Sequence, residues 1–173
     1  MNVGTIGRLT KIKNHKMFID AICCLMYPQK RDMKFFIIGD GELRSELEQQ
    51  SFLLGDCLIF TGWQDMIEVY RNLDIVVCTS NNEGTPVALI EAAVFGLPII
   101  STNVGGVKDI FKDSESILYV MKNDYGDLAD AIIKMAKNIE VYKNKANEFR
   151  KVVYNRFRKE KLIENIKQLY EKE

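Results

Sequence analysis

Several features that define whole classes of protein are missing from this sequence of 173 residues. No apolar run approaches the ~18–20 residues that a membrane-spanning helix requires. No basic N-terminal region leads into an apolar stretch, so no signal peptide is predicted. An excess of one charge is missing too, because 24 Lys and Arg stand against 24 Asp and Glu. Binding to nucleic acid through general electrostatic attraction is therefore not indicated.

Metal-binding patterns are also absent. The four cysteines, Cys23, Cys24, Cys57 and Cys78, have no CxxC spacing. Without a secretory signal they are expected to be reduced, buried thiols. The single histidine, His15, is distant from them in sequence, so no zinc site is predicted. We expect His15 at the start of a helix, on the surface or as a cap.

The overall composition is 47% hydrophobic and 28% charged, which is typical of one globular domain. Residues 139–173 carry 10 basic and 6 acidic side chains, a net of +4. We interpret this segment as the solvated face of a helix, with a partner surface as the alternative.

Short apolar runs alternate with longer amphipathic segments along the chain. The patterning predicts strands at 2–6, 34–38, 57–60, 74–78, 98–101 and 116–120. It predicts helices at 13–26, 42–54, 65–72, 87–95, 106–111, 127–137 and 141–171, the last one broken near Arg158. Strands that are apolar throughout are buried on both faces, as in a parallel sheet. The predicted fold is a Rossmann-like, doubly wound α/β sheet of about six strands, with ligands beyond the carboxyl ends of the strands.

The loop after the first strand carries fixed positive charge. Gly7 allows a tight turn, Arg8 can hold two phosphate oxygens in a bidentate fork, and Lys13 adds a second cation. A solvated basic loop is the alternative interpretation. After the second strand, Gly39 and Gly41 would permit close approach of a planar ring or a sugar.

The segment after the strand DIVVC has the sharpest pattern. Thr85 suits an N-cap and Pro86 the first helical position, so a helix N-terminus would face the site as a phosphate receptor. Glu83 precedes this helix and Glu91 lies in its second turn, where carboxylates could accept hydrogen bonds from sugar hydroxyls. The alternatives are a capping Glu83 and a salt-bridged Glu91. Further on, 105–106 offers a Gly-Gly helix start that suits either an anion site or a plain tight turn.

As a set, these motifs resemble the C-terminal, donor-binding domain of the retaining group 1 glycosyltransferases of the GT-B fold. The resemblance covers most of the chain: GRLTKIKNH, FFIIGDGELR, LIFTGW, YRNLDIVVCTS, EGTPVALIEA, FGLPIISTNVGGVKDI and RFRKEKLIENIKQLYEK. Glu83 and Glu91 have the E-x7-E spacing of that family.

The resemblance implies a role for each matching residue. Arg8 and Lys13 would hold the diphosphate of a UDP- or GDP-sugar and stabilise the leaving nucleotide, and Glu83 would contact the donor sugar. Glu91 would bind the ribose hydroxyls. The remaining donor contacts would come from Gly7, Gly39, Thr61, Trp63, Gly84, Thr85 and Pro86. No metal or cofactor is expected at this site.

The resemblance also implies that an N-terminal acceptor-binding domain is absent from these 173 residues, which would then bind donor with little or no transfer. The acceptor would be a glycan, a lipid or a small molecule. The expected location is cytoplasmic, with peripheral attachment at the inner membrane as an option for the full-length protein. The alternative function is a non-catalytic nucleotide or sugar-phosphate binding module. A further alternative is an interaction domain that binds no ligand. Motifs of the related UDP-sugar 2-epimerases are not seen in the sequence.

Overall fold

A computed structural model of the chain describes residues 1–25 and 32–161. Its centre is one sheet of six parallel strands. The strands are Asn2–Ile6 (β1), Lys34–Ile38 (β2), Leu58–Gly62 (β3), Ile75–Cys78 (β4), Ile99–Thr102 (β5) and Ile117–Val120 (β6). Each lies within one or two residues of its predicted position, so the parallel α/β sheet is confirmed.

The strand order is β3-β2-β1-β4-β5-β6. Thr5 of β1 pairs with Ile37 on one side and with Val77 of β4 on the other. The chain builds outward from β1 to β3 and then crosses back to start the second half at β4. The gap between the carboxyl ends of β1 and β4 is therefore the topological switch point, where open α/β sheets bind their ligands.

Seven α-helices connect the described strands and follow the last one. They are His15–Cys24 (α1), Arg44–Gln50 (α2), Met66–Asn72 (α3), Val87–Val94 (α4), Val107–Phe111 (α5), Tyr125–Lys137 (α6) and Ile139–Phe157 (α7). α1 and α6 pack together over one face of the sheet, and α4 and α7 over the other. Phe35 and Ile37 face the first core cluster, whereas Phe36 and Ile38 face the second. This double burial explains why β2 is apolar throughout.

Several helix boundaries differ from the prediction, most by one or two residues, and two of the differences have a clear backbone cause. The helix predicted at 42–54 is α2 followed by a separate 3-10 helix at Phe52–Cys57, in which Gly55 has a φ of 50°. The first helix begins at His15 instead of Lys13, because Asn14 adopts the left-handed conformation with a φ of 49°. Lys13 therefore belongs to the loop. The predicted end of this helix at Met26 lies outside the described residues.

The long C-terminal helix ends where a break was predicted, because Arg158 leaves helical geometry with extended backbone angles. Residues 162–171 of that prediction lie outside the described residues. None of the helices within 1–25 and 32–161 is long and apolar enough to cross a bilayer.

Two burial predictions are wrong. Cys23 and Cys24 are exposed, because they occupy the last turn of α1, while Cys57 and Cys78 are half-buried. None of the four cysteines, all of which lie within the described residues, forms a disulfide bond. His15 does begin a helix, but it is only 2% exposed, because the loop after β1 folds over it.

Candidate functional site

Three loops interlock at the carboxyl edge of the sheet. The loop after β1 receives a backbone bond from Asn81 to Ile12, at 2.7 Å, and donates one from Leu9 to Asp40, at 3.0 Å. Thr79 Oγ1 also donates to the carbonyl of Lys13 at 3.0 Å. The loops after β1, β2 and β4 are therefore tied to one another by hydrogen bonds across the switch point.

Gly39 closely approaches the backbone of the loop after β1. Its φ is 134°, and a Cβ there would overlap the carbonyl oxygen of Gly7. Its N–H donates to Gly62 O at 2.9 Å. The same Cβ would lie 3.5 Å from the ring of Trp63, which is 59% exposed beyond β3. Gly7, Gly39 and Trp63 are thus brought together, whereas Thr61 turns its hydroxyl to the carbonyl of Gly62.

Lys13 and Glu83 meet at the switch point. Lys13 Nζ donates to Glu83 Oε1 at 2.6 Å, although 70 residues separate the two in sequence. The Glu83 side chain is 9% exposed and that of Lys13 is 30% exposed. The carboxylate is therefore part of a largely enclosed charge pair, which replaces the capping role considered from the sequence.

Arg8 lies in the same loop as Lys13, between β1 and α1. Its side chain is 73% exposed, and its nearest carboxylate oxygen is on Glu42, at 4.0 Å. An exposed pair at that distance contributes little to stability. The guanidinium is therefore available to an anion at the mouth of the switch point.

The start of α4 differs from the predicted cap. Pro86 occupies the N-cap position and Val87 begins the helix, so Thr85 is one residue outside and makes no side-chain cap bond. The fixed ring of Pro86 and the bond from Val87 N–H to Thr85 O shape this turn. Within the described chain, the N–H groups of Gly84, Thr85 and Ala88 have no protein acceptor.

Glu91 is exposed in the second turn of α4 and is held by a tyrosine, where the sequence had suggested a salt bridge. Tyr70 is 2% exposed, and its hydroxyl donates to Glu91 Oε2 at 2.8 Å and to Ala88 O at 3.1 Å. Burial raises the pKa of the Tyr70 hydroxyl above its usual range, and the hydrogen bond to Glu91 adds to the shift. Tyr70 therefore acts as a fixed donor that orients Glu91.

The Gly-Gly pair after β5 is not an open anion site. Gly106 N–H donates to Glu83 O at 2.9 Å. Cβ atoms at Gly105 and Gly106 would overlap the carbonyl oxygens of Glu83 and Gly84, respectively. The two glycines are needed because this loop packs directly against the backbone that carries Glu83.

The sequence patterns predicted no role for three residues that position the carboxylates, directly or through a neighbour. Tyr70 orients Glu91, and Ser80 Oγ donates to Glu83 Oε1 at 2.6 Å. Thr102 Oγ1 donates to Ser80 O at 2.7 Å. The one signal of these contacts in the sequence is the short spacing between Ser80 and Glu83, which is common in turns and therefore does not identify a site. In the described part of the chain, no group of three or more His, Cys, Asp or Glu side chains is arranged to hold a metal ion.

The fold and these loops define a Rossmann-like α/β domain with its polar cleft at the β1/β4 switch point. Residues 1–138 match the family model described as glycosyl transferases group 1. The match covers most of the chain, and the chain belongs to this family. The resemblance inferred from the motifs is thereby confirmed.

Individual relatives agree with this assignment. The chain is 36% identical over 152 residues to a Campylobacter jejuni α-1,4-N-acetyl-D-galactosaminyltransferase named for a diphospho-undecaprenol-linked glycan; the alignment covers 87% of this chain and 40% of the relative. The solved C-terminal domain of a Francisella tularensis glycosyl transferase group 1 family protein has 27% identity and a TM-score of 0.79, covering 91% of this chain and 86% of that one.

An Anabaena protein solved with UDP-glucose has the same fold, with a TM-score of 0.88 at 22% identity over 99% of this chain and 49% of that one. The chain spans between 40% and 44% of the length of three curated relatives.

Proposed function

We propose that this chain is the donor-binding half of a retaining hexosyltransferase that uses a UDP- or GDP-sugar. The observation that carries the proposal is the meeting of Lys13 and Glu83 at the switch point, with Arg8 exposed in the same loop as Lys13. Cations that reach the leaving diphosphate would stabilise the negative charge that develops on it as the glycosidic bond breaks. A neighbouring carboxylate suits the hydroxyls and the developing positive charge of the sugar.

The start of α4 supports the same arrangement. Free N–H groups at Gly84, Thr85 and Ala88 offer donors for phosphate or sugar oxygens, and the positive end of the helix adds to their field. Glu91, oriented by Tyr70, would receive ribose hydroxyls, and the surface between Gly39 and Trp63 would receive the base. The Anabaena protein with the same fold binds UDP-glucose. In this arrangement the basic side chains take the place of a metal ion.

The acceptor side of the reaction belongs to the rest of a longer protein. The chain covers less than half of its curated relatives, and one of these is named for an undecaprenol-linked glycan. We propose a glycan or lipid-linked acceptor in cell-surface polysaccharide synthesis, held by an N-terminal domain. Such a protein would work in the cytoplasm, at the inner face of the membrane.

Calorimetric titration with UDP, GDP and ADP tests donor binding. One nucleotide should bind the wild-type chain, and Arg8→Ala should weaken it by about 2 kcal/mol, roughly 30-fold, because a charge-assisted phosphate contact is lost. Arg71→Ala is the matched control: Arg71 is an exposed, ion-paired arginine near the end of α3, at the opposite edge of the sheet.

A folded chain that binds none of the three nucleotides, alone or joined to its N-terminal half, would refute the proposal. Nucleotide binding without any sugar transfer by the joined protein would favour the non-catalytic binding module. The anomeric configuration of the product, read by NMR, tests retention.

A further inference from the structure

Ser80 is a buried hydroxyl directed at the Glu83 carboxylate. It lies two residues beyond β4 and is 1% exposed. Its Oγ donates to Glu83 Oε1 at 2.6 Å, and Lys13 Nζ donates to the same oxygen at 2.6 Å. Both donors converge on Oε1, and the Cys78 thiol lies 3.9 Å from the same oxygen. The second oxygen, Oε2, accepts a bond from none of the described residues, so the carboxylate has one fixed side and one free side.

The direction of the Ser80 bond is set by its neighbours. A carboxylate can only accept, so the hydroxyl proton of Ser80 points at Glu83. Cys78 Sγ lies 3.4 Å from Ser80 Oγ and 3.9 Å from Glu83 Oε1, so its one thiol proton is directed at these two oxygens. Desolvation raises the pKa of the Cys78 thiol, and the Glu83 charge acts in the same direction, so the thiol keeps its proton. The chain of donors therefore ends on Oε1 of Glu83.

The backbone that carries both residues is held from the sheet. Thr102, fully buried at the end of β5, donates from its hydroxyl to Ser80 O at 2.7 Å. Gly106 N–H donates to Glu83 O at 2.9 Å. Both ends of the four-residue stretch are anchored to the same neighbouring strand and its loop. The position of the carboxylate is thus set before any ligand arrives, which is what a binding group requires for precision.

We propose that Ser80 is a positioning residue for the donor sugar, holding Oε1 of Glu83 so that Oε2 meets a sugar hydroxyl. The inference rests on the proposed function. When a diphosphate attracts Lys13, the Lys13 bond to Glu83 weakens, and Ser80 remains as the donor that keeps the carboxylate in place. The hydroxyl therefore matters for the sugar part of the donor and not for the nucleotide part.

The test compares the affinities of one nucleotide diphosphate and of its sugar conjugate, by calorimetry, in matched variants. Ser80→Ala should lose about tenfold in affinity for the nucleotide sugar and leave the affinity for the free nucleotide unchanged, because one charge-assisted hydrogen bond is removed. Ser80→Thr, which keeps the hydroxyl, should restore the wild-type ratio of the affinities for the nucleotide sugar and for the free nucleotide. Ser116→Ala should alter neither affinity, since Ser116 is a buried serine bonded to Ser114 just before β6.

Several results would overturn this role for Ser80. One is an equal loss for both ligands, which would mean that Ser80 only supports the loop. Another is a Ser80→Ala variant whose ratio of affinities for the nucleotide sugar and the free nucleotide equals that of the wild type, while Arg8→Ala still weakens nucleotide binding. The proposed function would then stand, and the role of Ser80 would be refuted. A wild-type chain that binds no nucleotide, either alone or joined to its N-terminal half, would overturn both the proposed function and the role of Ser80.

A second measurement needs no ligand. Urea unfolding of Ser80→Ala, Glu83→Gln and the double variant gives a thermodynamic cycle for the contact. The double variant should be destabilised by less than the sum of the two single variants, because each single change already removes the charge-assisted bond: Ser80→Ala removes the donor and Glu83→Gln removes the charge of the acceptor. Strict additivity would show that the bond contributes nothing and would contradict the inference.

Discussion

His15, the single histidine of the chain, is buried under the loop that carries Arg8 and supports this loop. Its Nε2 lies 3.4 Å from Arg8 O and its Nδ1 lies 3.5 Å from Thr5 Oγ1. Burial lowers the pKa of His15 from 6.5 to about 4; the bond to Arg8 O opposes this shift, and the charge of Lys13 adds to it. The neutral ring fits both partners, with one nitrogen donating to the carbonyl and the other accepting from the hydroxyl.

The lowered pKa of His15 predicts a pH-dependent stability. The unfolded chain takes up the proton near pH 6.5, whereas the folded chain takes it up only near pH 4. Between these values the unfolded state binds more protons. The free energy of unfolding should therefore fall as the pH is lowered through this window, by about 3 kcal/mol in total. Urea unfolding at a series of pH values from 7 to 4 measures the fall.

The control for this prediction is His15→Gln, which keeps polar atoms but cannot be protonated. Carboxyl groups titrate in the same range in both proteins, so the difference between the two curves isolates the histidine. A difference that stays constant from pH 6.5 to pH 4 would contradict the prediction.

At the scale of secondary-structure elements, the connection from β5 to α5 shapes the site without contributing a charged group. Gly105 has a φ of 50°, and a Cβ there would overlap the carbonyl oxygen of Glu83. Gly55, in the 3-10 helix before β3, has the same φ, but a Cβ there would meet no atom within 4 Å. The two positions thus share a positive φ and differ in the steric contact that an added Cβ would make.

Alanine substitutions at these two glycines separate the stability cost of backbone strain from the cost of steric contact. Gly55→Ala should cost about 2 kcal/mol, because its φ of 50° and ψ of −136° form a conformation that only glycine adopts easily. Gly105→Ala should cost about 2 kcal/mol more, since the loop must also move away from Glu83. Urea unfolding of both variants measures the difference. Equal losses would show that the loop after β5 does not press against the Glu83 backbone.

At the scale of the whole molecule, the polar groups lie along one edge of the domain. Arg8 is open to solvent there, and Trp63 and Glu91 are exposed as well. The chain spans less than half the length of its curated relatives. We therefore propose that this edge forms one wall of a cleft in the longer protein.

The proposed division of labour predicts that the 173-residue chain binds donor but does not transfer sugar efficiently, because the groups that hold the acceptor lie elsewhere. Mass spectrometry of glycosylated acceptor should detect product only when the N-terminal half is present. Arg8→Ala in the joined protein should reduce that product. Efficient transfer by the isolated chain would overturn the proposed division.

Local patterns predicted much of the site. The alternation of apolar strands and amphipathic helices led to the parallel sheet, and the loops after β1 and β4 were identified as the charged ones. The roles assigned to individual residues remain predictions. Asn14, which moved the start of α1, and Pro86, which took the place of Thr85 at the cap, depend on single backbone angles that composition and periodicity do not specify.

The sheet and its carboxyl edge follow from the sequence pattern alone, because strand and helix periods are local and double burial requires continuous apolar runs. Three features depend instead on the folded chain as a whole: Lys13 pairs with Glu83, Tyr70 holds Glu91, and Ser80 completes the cluster. The Lys13–Glu83 and Tyr70–Glu91 contacts join residues 70 and 21 positions apart. They depend on the order of strands at the switch point and on the packing of α3 against α4, which no local pattern encodes.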